Sequence, residues 1–137
     1  MSAELWSATS YQQLRVEALE VDHWNSLHPN EQPRVPWVTS QLGRSQGPIV
    51  AVTDFMRMVP DQISRWSPRA WTSLGTDGFG RSDTRETLRR YFETDAANIV
   101  LAVLNHLVAD NTLVPAAIED AISRYNMPTE GPVPWHG

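Results

Sequence analysis

GPIVAVTD, residues 47–54, is the stretch on which the fold turns. Gly47-Pro48 bounds it on one side and Asp54 on the other, and between them Ile49, Val50, Ala51 and Val52 run without a polar residue. A strand with one wet face alternates apolar with polar, whereas a continuous β-branched run belongs to a strand covered on both faces. Parallel sheets are built from such strands, so an α/β layered fold with a mostly parallel sheet is expected.

Downstream, MVPDQISRW (58–66) reads as a helix with Pro60 in its first turn, ended by Ser67-Pro68. AWTSLG (70–75) reads as a further short strand that leads into LGTDGFGRSDTRETLRRYF (74–92). There Asp83 and Glu86 form a D-x-x-E capping box, and Leu88, Tyr91 and Phe92 make the buried stripe of the helix that follows. DAANIVLAVLNHLVAD, from Asp95, is apolar almost all round and should be covered on more than one side. A last helix starts at Pro115 and aligns Ile118, Ala121, Ile122 and Tyr125; the tail from Met127 to Gly137 carries three prolines and two glycines and is expected to be irregular.

Upstream, ELWSAT (4–9) alternates loosely, as a strand does, and Ser10 then caps a helix carrying Leu14, Ala18, Leu19 and Val21. Residues 28–48 are rich in proline and should lie over a surface, with WVTSQL (37–42) able to form a short helix after Pro36. Three strands make a thin sheet for so many helices.

Composition narrows the function. A chain of 137 residues, 41% hydrophobic, has the length of one domain with a real core. A net charge of −5 argues against nucleic acid, and the absence of cysteine excludes thiolate metal sites, disulfides and cysteine nucleophiles. No apolar run approaches the ~20 residues that span a bilayer, and the N-terminal residues lack a secretion signal, so no membrane partner and a cytoplasmic location are expected.

The glycines of the 74–92 stretch follow the pattern G-x-x-G-x-G at Gly75, Gly78 and Gly80. A dinucleotide fingerprint wants G-x-G-x-x-G after the first strand, and a Walker loop wants G-K-[ST]; neither spacing is present. The readings favoured are a strand-to-helix loop that uses glycine for tight backbone geometry, and a loop that meets another protein surface, with Phe79, Arg81 and Arg85 at its tips. His23 and His28 lie five apart, off the helical zinc spacing, while His106 and His136 stand alone. His106 reads as a core or interface histidine with one satisfied nitrogen. The serines of WSATSY have no G-x-S-x-G elbow around them, and the six tryptophans are scattered in the manner of packing residues. The residues alone give an α/β domain without a catalytic constellation.

SAELWSATS, WNSLHPNEQPRVPWV, GPIVAVTDFMRMVPDQI and above all LGTDGFGRSDTRETLRRYFETDAANIVLAVL resemble the C-terminal region of the homodimeric, bacterial-type pyruvate dehydrogenase component, from about Ser2 to Tyr125. The resemblance implies an enzyme that uses thiamine diphosphate and Mg²⁺ to decarboxylate pyruvate and acetylates the lipoyl group of dihydrolipoyl acetyltransferase. It implies a three-layer α/β/α, transketolase C-terminal-like domain over residues 1–126, with an irregular tail over 127–137. The family's cofactor motif, pyrimidine-binding glutamate and catalytic histidines lie in other domains, so no catalytic, cofactor-binding or metal-binding residue carries over to this chain. The partners implied are the rest of the polypeptide, a second subunit of the homodimer and the acetyltransferase. The loop of Gly75, Thr76, Asp77, Gly78, Phe79, Gly80, Arg81, Ser82 and Asp83, with Arg85, becomes a candidate interface loop near the active-site entrance. Family members enter this domain through a central strand and a helix that precede SAELWSATS, so the domain is expected to be N-terminally truncated. Surplus apolar surface around Ile99, Val103 and Leu107 is then expected. The alternative is a free-standing, non-catalytic binding or regulatory module derived from the same domain.

Overall fold

The computed structural model describes residues 2–77 and 83–136. Helix α1, Tyr11–Leu27, begins where Ser10 adopts an extended backbone and its hydroxyl accepts the Gln13 N–H at 3.2 Å. Tyr11, Leu14 and Ala18 recur on one face and carry the helix into the core, where Ala18 is fully buried. Burial raises the Tyr11 hydroxyl above the usual tyrosine pKa.

The proline-rich connection is tied down rather than loose. The Asn25 amide makes a pair of hydrogen bonds with the backbone of Arg34, accepting its N–H at 2.8 Å and donating to its carbonyl at 2.9 Å. The Arg34 guanidinium lies 3.6 Å above the Trp24 ring, which also stacks on His28 at 4.0 Å. The chain then enters α2, Trp37–Leu42, over the residues expected.

Strands β1 (Ile49–Val52) and β2 (Trp71–Leu74) pair in parallel, with Ile49 opposite Trp71 and Val52 opposite Leu74. Between them lie the short helix α3, Met58–Asp61, and a 3-10 turn at Ser64–Trp66. A single helix was expected here. It breaks at Ile63, whose backbone sits at φ −114°, ψ 0°, so that Ile63 and Trp66 can both turn into the core beside Ala18 and Val38.

Side chains alternate across a strand, and this places the layers. Trp71 packs against the core of α1, α2 and the 3-10 turn. Its neighbour Thr72 points the other way, and its hydroxyl lies 2.6 Å from His106 Nε2 in a hydrogen bond to α5, Ala96–Ala109. The chain is therefore an α/β fold with helices on both faces of a small parallel sheet. His106 holds the position expected of it, with one ring nitrogen satisfied from the sheet.

Two expectations shift. Residues 4–9 form no strand: Leu5 is 98% exposed, and β1 and β2 pair only with each other. An alternating pattern needs a neighbour to complete its ladder, and none borders this segment among the described residues. The cap of α4, Arg85–Tyr91, is Thr84 rather than Asp83: the Thr84 hydroxyl accepts the Thr87 N–H, and Asp83 accepts the Thr84 N–H one residue earlier.

Helix α5 is capped by Asp95, which accepts the Asn98 N–H at 3.0 Å. It packs on β1 and on α6, Ala116–Arg124. Although α5 is apolar almost all round, none of its residues is fully buried, and Ile99, Val103 and Leu107 are each mostly but not fully covered. An open groove of 610 Å³ separates it from α6, floored by Val100, Leu104 and Ala121. No helix among the described residues is long and apolar enough to cross a membrane.

Candidate functional site

Parallel sheets present their ligand and partner sites at the carboxyl ends of the strands. Here those ends are the segments 53–57, after β1, and 75–77, after β2. The two are bonded together. The Thr53 N–H donates to the Leu74 carbonyl at 2.9 Å, the Thr76 N–H to the Phe55 carbonyl at 2.8 Å, and the Thr76 hydroxyl to the Asp54 carbonyl. Asp77 accepts the Arg57 N–H at 2.9 Å.

Gly75 makes this approach possible. A Cβ at that position would stand 2.5 Å from the Phe55 carbonyl oxygen and 3.0 Å from both the Arg57 nitrogen and Thr53 Cγ2. The first glycine of the motif thus serves close contact between two backbones, not an anion cradle.

Arg57 is the centre of the site. Its Nε lies 3.5 Å from Asp77 Oδ2, an ion pair whose geometry is not that of a hydrogen bond, which leaves Nε buried without a hydrogen-bond partner. A terminal nitrogen lies 4.0 Å from Glu93 Oε2, and the Trp135 ring sits 4.8 Å from the guanidinium carbon. Glu93 reaches it from a left-handed backbone, φ 59°, at the C-terminal end of α4. That conformation costs a non-glycine residue of order 1 kcal/mol. Four segments distant in sequence therefore meet at one half-buried cation.

Around the cation the backbone is fixed but the side chains face out: Phe55 is 72% exposed, Met58 71% and Met56 53%. A held backbone with projecting apolar side chains suits contact with another surface, because little ordering is left to be done on binding. Of the loop expected from the sequence, Gly75, Thr76, Asp77, Asp83 and Arg85 are described. Gly75, Thr76 and Asp77 join the Arg57 cluster, while Asp83 and Arg85 start α4 and are exposed. Gly78, Phe79, Gly80, Arg81 and Ser82 lie outside the described residues. Arg57 and Glu93 were missed by sequence reasoning, since neither belongs to a motif and their partners are far along the chain. The one available signal was an arginine placed among the apolar residues of DFMRMV.

Among the described residues no group of His, Asp or Glu is arranged to hold a metal ion, and the side chains at the strand ends do not fit a Mg²⁺-diphosphate. Arg57, the cation of the cluster among the described residues, is already faced by two carboxylates.

A family model described as the transketolase-like TK C-terminal domain matches residues 1–95. The chain is 40% identical over 131 residues to the pyruvate dehydrogenase E1 component of Pseudomonas aeruginosa, covering 95% of this chain and 15% of that relative. It is 42% identical over 127 residues to that of Mycobacterium tuberculosis, covering 93% and 14%, and 38% identical over 128 residues to that of Escherichia coli K12, covering 93% and 14%. The chain therefore spans 14–15% of the length of these relatives.

Proposed function

The chain belongs to the transketolase-like C-terminal domain family, and on that footing we propose that it is the structural and assembly domain of a pyruvate dehydrogenase component. The reaction served is the thiamine diphosphate-dependent decarboxylation of pyruvate with acetylation of the lipoyl group of dihydrolipoyl acetyltransferase, in the cytoplasm. The catalytic groups and the Mg²⁺-bound cofactor belong to other domains; residues 1–126 supply the assembly surface and 127–137 follow as a tail. Partners are the rest of such a polypeptide, a second subunit and the acetyltransferase. The loop from Gly75 to Asp83 positions one of these surfaces and takes no part in the chemistry.

The observation that carries this reading is α5, apolar yet with no residue fully buried. At ~25 cal/mol per Å², each ~100 Å² of such surface left wet costs about 2.5 kcal/mol, a sizeable share of the stability of a small domain. Such a helix calls for cover by another chain or domain. Sedimentation across a concentration series up to tens of micromolar is expected to show the chain associating with itself. A compact monomer with a cooperative unfolding transition throughout that range would overturn the assembly reading.

Cofactor chemistry is tested separately. Calorimetric titration of this chain with thiamine diphosphate and Mg²⁺ is expected to give no micromolar binding, because no group among the described residues is arranged to hold the Mg²⁺ of the diphosphate. A measurable micromolar isotherm would move the cofactor site into this domain.

A further inference from the structure

After α6 the chain does not trail away. Its first residues are fixed: Met127 N–H donates to the Ile122 carbonyl at 3.0 Å, Asn126 turns through a left-handed backbone at φ 50°, and an Arg90 terminal nitrogen donates to the Asn126 carbonyl at 3.2 Å. Its last described turn is fixed too, with Pro134 buried and Trp135 against the Arg57 guanidinium. Between the two anchors lies Gly131 at φ 134°, a backbone that side chains rarely adopt, with open space around it. A segment held at both ends, with a glycine turn between, has the form of a strap.

What the strap reaches matters. Arg57 bonds through its N–H to Asp77, and thereby joins the segment after β1 to the segment after β2. Trp135 covers the guanidinium of that same residue while remaining 43% exposed itself. We propose that residues 127–136 form a closing strap over the carboxyl ends of β1 and β2, latched by Trp135 on Arg57, and that its opening loosens the 53–57/75–77 pair and bares the guanidinium face. The strap is built from contacts within the chain and stands apart from the assembly role. The latch is an aromatic–cation contact at a part-exposed position beside the buried Pro134, so Trp135 itself contributes only a fewfold to closure.

Residue-resolved hydrogen exchange on the full chain tests the device. Trp135→Ala is expected to raise exchange at the Thr53, Arg57 and Thr76 amides roughly two- to fivefold, the value of one such contact, while amides of α1 around Ala18 keep their rates. Trp135→Phe retains a ring over the guanidinium and should hold the three amides within about twofold of the parent. Unchanged exchange in Trp135→Ala overturns the strap. So does a uniform rise that includes α1, which would make Trp135 an ordinary contributor to global stability, and so does a loss in Trp135→Phe as large as in Trp135→Ala.

Discussion

Trp66→Ala is expected to destabilise the chain by about 3–5 kcal/mol, the cost of emptying an aromatic site in a packed core. Trp66 is 8% exposed and stands among Ala18, Val38 and Ile63, where α1, α2 and the crossover between the strands converge. It also holds three polar groups in place. Its indole N–H donates to Asp22 at 2.9 Å, its carbonyl accepts the Thr39 hydroxyl at 2.6 Å, and the Arg65 guanidinium stacks on the ring at 4.2 Å. Alanine leaves a void and removes the indole donor from Asp22, whose ion pair with Arg65 at 2.8 Å remains. Against a total stability of ~5–15 kcal/mol for an ordinary domain, most of the folding equilibrium could be lost. Urea unfolding followed by circular dichroism measures it, and Trp66→Phe, which keeps a ring but not the N–H, should fall between. A cost below ~1 kcal/mol for alanine would show that the core is centred elsewhere.

Gly75→Ala is expected to cost about 3 kcal/mol or more, a large effect for one methyl group, because the position is buried between two backbone segments. Two of the three atoms that the new Cβ would meet belong to the backbone of 55–57, so no rotamer can relieve the contact. The loops must separate instead, which breaks the Thr76-to-Phe55 and Arg57-to-Asp77 bonds. Gly47→Ala is the proper comparison. Gly47 sits at φ 98° with nothing near its missing Cβ, so that substitution carries backbone strain alone, of order 1–2 kcal/mol. If denaturant midpoints show Gly75→Ala to be as mild as Gly47→Ala, the close approach of the two strand ends is not a constraint on the fold.

Much of the architecture was legible because its signals are local. The serine cap of α1, the proline before α2, the unbroken apolar run of β1 and the all-round apolar pattern of α5 each depend on residues within one element. The strand pattern at 4–9 misled for the opposite reason: alternation describes what a strand would do beside a neighbour and contains nothing about whether one is there. The cap of α4 slipped by one residue because Asp83 and Thr84 are both good caps, and the choice depends on which backbone enters the helix extended. The Arg57 cluster was invisible because its parts, Asp77, Glu93 and Trp135, are brought together only by the parallel pairing, the end of α4 and the return of the tail.

The division of the fold into two faces also sets an order of events during synthesis. The core around Trp66 draws only on residues from Tyr11 to Trp71, so it can close as soon as β2 has emerged from the ribosome. Helix α5, which covers the opposite face, and α6, which packs on α5, end some fifty residues later, at Arg124. At roughly 5–20 residues per second that interval is on the order of 3–10 s. During it the half-domain carries a finished side and a bare one, on which Val50, Val52 and Leu74 of the sheet face water. A nascent chain in that state is a natural client for a ribosome-associated holdase. Slowing translation between codons 75 and 95 would prolong the exposure, with aggregation during expression as its visible cost.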